Sequence, residues 1–522
     1  MFARTTRTKL IWTVTENYLS HQGAAVIADR VFNNGIQAVK AIYTESIAPN
    51  LRELRKELGV RVKREKSSPD ADGLFPFLLS FVGRRALLDL GTEPLAFTEG
   101  QSFTFEISVD RNFCSLNLHG EATTRKPRVL VTTEDMLEKI QPGTLLSFSY
   151  GECEGRVSAI AKRTANQLDV TIEALVGGVL RSGMQVSSPH ISNELFPLLP
   201  EDKLALDTRF GGLADYVIIN GLRHESELAE IKGYFYDTKE TSLSKRHPSV
   251  PIGPAVREIN SPVPPRFIIK IDSEHMLSNF SNLLDQVDGT YLSRSELGTI
   301  VHPHSLPITQ KEIISKCNSE AKIVMIASEL MHSMQVNPNP TRAEVSDLAN
   351  AVSDGADALV LEPDVTEGPY PDEVAKVSQE TVIKSEPKID DNWHRVPFDV
   401  RNDDDAVAYG AIQTAEHVGA KALVCLTEGG YTAVRLSSMR TPVDVIAVTY
   451  NTNVMRQLAL MSAVYPIRIS SATAFDRVLS ETKACLMEHC GLVRGDKFVF
   501  ISLTSSSIAE RQSNFFTIQF LE

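Results

Sequence analysis

Short apolar runs that alternate with polar, helix-forming stretches between Phe267 and Pro371 constrain this chain more than any other feature. The first run, Phe267-Ile268-Ile269-Lys270-Ile271-Asp272, ends in a lysine and a carboxylate. The second, Asp288 to Leu292, leads into Ser293-Arg294-Ser295-Glu296-Leu297-Gly298. The third, Lys322 to Ala327, delivers Ser328, and the fourth spans Asp357 to Leu361. Between these last two, Val345, Leu348, Ala349 and Val352 share one face of a helix that opens at Pro340 to Glu344. Strands alternating with helices form a parallel sheet, and polar groups just past strand ends place a site at its C-terminal face.

The totals narrow the function classes. At 522 residues, roughly two to four domains are expected. No apolar run approaches the ~20 residues of a membrane-spanning helix. The net charge of -13 argues against a general nucleic-acid binder, which needs a basic footprint. Cys114, Cys153, Cys317, Cys425, Cys485 and Cys490 form no CxxC pair and read as reduced, mostly buried thiols. That usage points to the cytoplasm. The segment Met1 to Asn17 leaves a mitochondrial alternative open, because Arg4, Arg7 and Lys9 precede any acid. Its other reading is a short basic tail before a first strand at Lys9 to Val14.

Further strands are expected at Gln37 to Ile42, Arg85 to Leu90 and Asp215 to Asn220, with helices at Gln22 to Asn33 and Asn50 to Lys66. With the four runs above and the first strand, these make eight. From Thr98 to Asn193 the pattern changes to short β-like runs: Phe103 to Val109, Arg128 to Thr132, Leu145 to Tyr150 and Leu168 to Ile172. Glu134 to Ile140 is the one helical stretch expected there, so this reads as a small all-β insertion. Tyr236 to Pro265 is rich in Ser, Pro, Lys and Arg without periodicity, and reads as a flexible, solvent-exposed insertion. Lys384 to Arg395 reads as a polar linker. Beyond it come a helix at Ala406 to Val418 and strands at Ala422 to Thr427, Val443 to Thr449, Ile467 to Ser471, Lys497 to Leu503 and Phe516 to Leu521.

Pro340 to Asp357, PTRAEVSDLANAVSDGAD, resembles the signature helix of pyruvate kinases. Lys270-Ile271-Asp272 and Ser293 to Gly298 stand where that family has Lys-Ile-Glu and Ala-Arg-Gly-Asp-Leu-Gly. The resemblance implies an α/β fold: a (β/α)8 TIM barrel, an inserted small all-β domain that caps the nucleotide, and a C-terminal α/β domain that binds sugar-phosphate effectors. The corresponding division is 1–97 and 194–381 for the barrel, 98–193 for the lid and 382–522 for the last domain. It also implies phosphoenolpyruvate and pyruvate, ADP and ATP, Mg²⁺ and K⁺ as ligands. Arg342, on the signature helix, would reach a neighbouring subunit of a homotetramer.

The departures fall on the chemistry. Phosphoryl transfer needs a clamp on phosphate charge, a metal held by carboxylates, and proton delivery to the enolate. Lys270 stands at the family's phosphate-contacting lysine, with a lysine snorkelling at a strand end as the alternative. The resemblance gives Mg²⁺ to Asp272 and Glu296, where the family's glutamate is shortened and its aspartate lengthened. Ser295 replaces a glycine whose backbone meets the substrate carboxylate, and Ser328 keeps the hydroxyl of a threonine that contacts the same group. Lys40 replaces a clamping arginine and loses its planar fork. Ile42 removes a K⁺ ligand, leaving Thr44 and Asp89 for a degraded K⁺ site. The second clamping arginine is absent from Leu90 to Ala96. Asn220-Gly221 lacks a hydroxyl that the family carries, and Asp202 replaces its nucleotide-contacting lysine. In the effector loop Thr427, Gly429, Gly430 and Thr432 suit a phosphate, but Glu428 opposes one. Leu503 to Ser513 reads as an unliganded turn.

One lost group of this kind costs a factor of about 10²–10³ in rate. The expectation is therefore a family member with weak or lost phosphoryl transfer, acting as a pseudoenzyme or a regulatory or scaffold subunit. Such a subunit would form a homo-oligomer, or a hetero-oligomer with an active homologue. The alternative is an active, divergent enzyme using Lys270 and a metal held by Asp272 and Glu296. A changed reaction, enolate protonation or oxaloacetate decarboxylation, ranks last.

Overall fold

The computed structural model describes residues 6–43, 47–66, 75–81, 86–90, 95–109, 127–131, 137, 140–148, 153–164, 167–180, 186–187, 214–222, 225–236, 264–271, 274–386, 400, 403–469, 475–502 and 515–522. The chain opens with β1 (Lys9–Val14), β2 (Ala38–Tyr43) and β3 (Phe77–Phe81). It then builds a separate β module from β4 (Ala86–Asp89), β5 (Leu95–Phe97), β6 (Ser102–Val109), β7 (Arg128–Val131), β8 (Leu145–Phe148), β9 (Cys153–Thr164), β10 (Gln167–Val176), β11 (Gly178–Leu180) and β12 (Val186–Ser187). It returns with β13 (Tyr216–Ile219), β14 (Arg266–Ile271), β15 (Gly289–Ser293), β16 (Ile323–Ala327) and β17 (Ala358–Leu361). β1 to β3 and β13 to β17 close a parallel barrel in the order β1-β17-β16-β15-β14-β13-β3-β2. A last sheet follows: β18 (Ala422–Leu426), β19 (Val445–Thr449), β20 (Val464–Arg468), β21 (Lys497–Ser502) and β22 (Phe515–Phe520). Its order is β20-β19-β18-β21-β22, with β22 antiparallel on β21.

Strand parity sorts the barrel side chains into two cores. Leu10, Trp12, Val14, Val39, Phe267, Ile269, Val324, Ile326 and Leu359 pack outward against the helices, among them Ala24–Asn33, Ala48–Lys66 and Leu306–Ser319. Their neighbours Ile11, Ala38, Ile268, Tyr291, Met325 and Val360 point inward. Burial on both faces explains why these strands are continuous apolar runs rather than alternating ones. Gly289 opens β15 because nothing larger fits there: a Cβ would lie 2.4 Å from the Ile323 carbonyl oxygen.

The end of the barrel where the strands begin rests on the C-terminal domain through a repeated aspartate device. Asp215, Asp288 and Asp357 each immediately precede a strand. Each accepts a backbone N–H from an adjacent strand: Phe77 at 2.9 Å, Phe267 at 2.8 Å and Val324 at 2.9 Å. Two of them also take arginines from the C-terminal domain, Arg456 Nε to Asp215 at 2.7 Å and Arg440 Nη1 to Asp357 at 3.0 Å. Charge-assisted bonds of this kind fix the two domains together at one end and leave the other end for a site.

Three expectations need correction. Arg85 to Leu90 is not a barrel strand: its described part is β4, which pairs with β7 in the module, and the third barrel strand is Phe77–Phe81. Both runs are short and apolar, and periodicity carries no information about which sheet a strand joins. The polar linker does not start at Lys384, since the helix Pro371–Ser385 runs through it. Val374, Ala375, Ser378 and Val382 make the buried face of this fifteen-residue helix, which packs against the helix Arg342–Asp354, and Pro371 starts it at N1. β20 begins at Val464 rather than Ile467, because Pro466 is tolerated on this edge strand. The strand β9 was not anticipated. Residues 237–263 of the insertion expected at Tyr236 to Pro265, most of the expected Glu134 to Ile140 helix and the expected Leu503 to Ser513 turn lie outside the described residues. Among the described cysteines, Cys153, Cys317, Cys425 and Cys490 are buried and none is bridged.

Candidate functional site

The same parity that packs the barrel aims its last polar residues into the mouth. On β2, Ala38 faces inward and so does Lys40, two residues on; on β14, Ile268 is followed by Lys270. On β15 the inward series is Tyr291 and then Ser293. On β17 it is Ala358, Val360 and then Glu362, the first residue past the strand.

These groups form two ion pairs. Lys40 Nζ donates to both Glu362 oxygens, at 2.8 and 2.9 Å, and to the Tyr291 hydroxyl at 2.7 Å. Tyr291 in turn donates to Glu362 Oε1, and the ammonium sits 4.7 Å from the centre of the Tyr291 ring. Lys270 Nζ donates to Glu296 Oε1 at 2.5 Å. Lys40 is 6% exposed, Lys270 7% and Glu296 8%, so these charges meet in a water-poor mouth. Burial pushes the Glu362 carboxyl up, but Lys40 beside it, the bonds from Lys40 and Tyr291, and the charge of Lys270 together hold it below its ordinary value.

A cluster of hydroxyls lies alongside. Ser293 Oγ is 2.9 Å from Ser328 Oγ and 3.2 Å from Ser295 Oγ. Ser295 and Glu296 sit in the first turn of the helix Arg294–Ile300, and both are buried. Ser328, Glu329 and Met331, just past β16, all have positive φ (67°, 58° and 56°). Such strain costs about 1–3 kcal/mol per residue and persists only where the surroundings impose it. Arg294 holds the first of the three, donating to the Ser328 carbonyl from Nε at 3.1 Å and Nη2 at 2.8 Å while pairing with Asp347. Asp347 lies on the helix Arg342–Asp354, which a reciprocal Thr341–Glu344 capping box starts. Glu344 also accepts from Ser333 N and Oγ, each at 2.6 Å, and so ties the loop after β16 to that helix.

Lys40, Lys270, Ser295, Glu296 and Ser328 are thus gathered at one mouth. Asp272 and Thr44 lie outside the described residues. Asp89 ends β4, opposite Arg128 in the β module. Among the described residues no three His, Cys, Asp or Glu side chains group as a metal site. Of the expected Mg²⁺ pair only Glu296 is described, and it bonds Lys270 through Oε1. Arg342 is exposed. Sequence reasoning missed Glu362 and Tyr291. Glu362 directly follows the apolar run that ends at Leu361, so the pattern of polar groups just past strand ends already marked it.

In the effector loop, the Thr427 hydroxyl is engaged within the loop, accepting from Gly430 N at 2.9 Å, and Thr432 is buried. Gly429 lends its carbonyl to Arg266 Nη2 at 3.3 Å, while Gly430 adopts φ +91° at the start of the helix Tyr431–Ser438. Burial and a hydrogen bond to Glu428 push the Tyr450 hydroxyl well above its ordinary value, so Glu428 and Tyr450 are linked at this loop.

No described helix is long and apolar enough to cross a membrane. Residues 255–375 match the family described as "Pyruvate kinase, barrel domain", and 405–518 match "Pyruvate kinase, alpha/beta domain". The chain is 30% identical over 377 residues to a protein named pyruvate kinase from Staphylococcus haemolyticus, covering 71% of this chain and 59% of that one. A pyruvate kinase from Sporosarcina psychrophila is 30% identical over 375 residues, again spanning 59% of its length. One from Clostridium perfringens is 25% identical over 508 residues, 96% of this chain and 97% of the relative. The closed parallel barrel, the C-terminal α/β domain and these similarities agree: the chain belongs to the pyruvate kinase family.

Proposed function

We propose that phosphoryl transfer from phosphoenolpyruvate to ADP, giving pyruvate and ATP, is weak or lost in this chain, and that it serves as a regulatory or scaffold subunit. One observation supports this above the others: both lysines at the barrel mouth are already bonded to glutamates of the same chain. A transferring phosphoryl group needs positive charge that is free to meet it, and in a dry site such charge is the largest single contribution to rate. Lys40 and Lys270 with Glu362 and Glu296 carry no net charge among them. An incoming phosphate must therefore compete with a carboxylate for the charge of either lysine.

A coupled assay for pyruvate, at saturating Mg²⁺, phosphoenolpyruvate and ADP, tests the reading against a Lys270→Ala control. Turnover clearly above that control returns the alternative, an active enzyme using Lys270 with Mg²⁺ held by Asp272 and Glu296. Assembly is proposed as a homotetramer, or a hetero-oligomer with an active homologue, with the exposed Arg342 reaching the neighbouring subunit. A monomeric mass by light scattering at micromolar concentration counts against the homotetramer.

A further inference from the structure

Glu362 makes the contacts that an external oxyanion would make in the same place. Both of its carboxylate oxygens accept from Lys40 Nζ, and Tyr291 donates to one of them. Two donors from strands on opposite sides of the barrel, β2 and β15, converging on a pair of oxygens, form a cradle for a carboxylate or phosphate edge. The glutamate is not held there by a role in its own helix. It precedes the four-residue helix Pro363–Thr366 at the N-cap position, yet its side chain makes no capping bond, and its carbonyl serves the Val365 and Thr366 amides. Its side chain is 20% exposed against 7% for Lys40, so the carboxylate lies on the solvent side of the pair.

We propose that Glu362 is an internal plug: the chain's own carboxylate fills an oxyanion subsite built by Lys40 and Tyr291, and so determines that phosphorylated anions are refused. This deepens, and rests on, the reading of a mouth whose phosphoryl transfer is weak or lost. It names the residue that sets the refusal. Acid does not withdraw the plug near neutrality, because its neighbours hold the carboxyl in its charged form. Removal requires a side-chain rotation toward solvent or a substitution.

The test is calorimetric titration of inorganic phosphate into the full chain, as wild type, Glu362→Ala, Glu362→Gln and Glu362→Ala/Lys40→Met. Glu362→Ala should bind phosphate about tenfold or more tightly than wild type, the worth of one charged hydrogen bond gained. The gain should vanish in Glu362→Ala/Lys40→Met. Glu362→Gln removes only the charge and should show a smaller gain of the same sign, which keeps the test valid if the alanine variant fails to fold. No gain in a variant with wild-type circular dichroism overturns the proposal, as does a gain that survives the loss of Lys40. Pyruvate turnover by the wild type would count against lost transfer, whereas absent phosphate gain counts against the plug; the two failures are read in separate assays.

Discussion

Replacing Lys40 by methionine isolates the energetics of the mouth. The substitution keeps the length of the side chain and removes its charge, leaving Glu362 beside Tyr291. Removing one partner of a buried ion pair costs about 3–5 kcal/mol, because the other charge stays buried without its counterpart. Two features reduce that figure here: a fifth of the Glu362 side chain reaches water, and the Tyr291 hydroxyl still donates to it. A loss of about 2–3 kcal/mol follows. For a unit of barrel size this corresponds to a fall of about 5–10 °C in the barrel's melting temperature.

The pH dependence fixes the cause. In the wild type the folded carboxyl of Glu362 lies below its unfolded value, so its contribution is present above the ordinary carboxylate range and is lost on acidification through the folded value. In Lys40→Met the burial that pushes the carboxyl up remains, while its main opposing charge is gone. The folded value then lies above the unfolded one, and acid relieves the mutant. The gap between the two proteins should be widest at about pH 7.5 and narrow markedly by about pH 5. Scanning calorimetry at both pH values measures it. A second change, Glu362→Gln, should recover a large part of the loss, since it removes the stranded charge. A gap below about 1 kcal/mol at neutral pH, or one that does not change with pH, refutes the reasoning.

Three further outcomes are expected. Asp357→Ala strands Arg440, whose side chain is 8% exposed, and unpairs the Val324 amide, so the barrel and C-terminal domain should melt at least about 3 kcal/mol less stably by calorimetry. Gly430→Ala puts a Cβ 2.9 Å from Arg266 Nη2 at φ +91°, and should cost about 1–2 kcal/mol in the same measurement. Glu367 is pushed up to about 7 by burial, against opposing bonds from Thr15; its stabilising protonation is complete below the unfolded carboxylate value and lost as pH rises through about 7. Glu367→Gln should therefore flatten the decline in melting temperature across that window, and an unchanged decline would assign it elsewhere.

The sequence by itself determined the elements and the end of the barrel that carries chemistry. Seven of the eight barrel strands, β1, β2 and β13 to β17, follow from runs buried on both faces, which leave few other arrangements for a βα chain. Lys40 was singled out only through the resemblance to the pyruvate kinase family, whereas Lys270, Glu296 and Ser328 stand at or just past the ends of apolar runs, a local signal that made them legible. The helix Arg342–Asp354 was legible for the same reason: its apolar spacing and its start lie within a few residues.

Only the tertiary structure decided which sheet a strand enters and which charges meet. Phe77–Phe81 and Ala86–Asp89 are both short and apolar, and their partners, β2 and β13 in one case and β7 in the other, lie far along the chain. The pairing of Lys40 with Glu362 joins residues 322 positions apart. Nothing near either residue in sequence announces the other, and the charge state of a lysine's surroundings is set by whatever the fold brings within a few ångströms of it. Residue type showed where positive charge stands in this protein; closure of the barrel, which places β2 and β17 on either side of β1, determined that this charge is already matched.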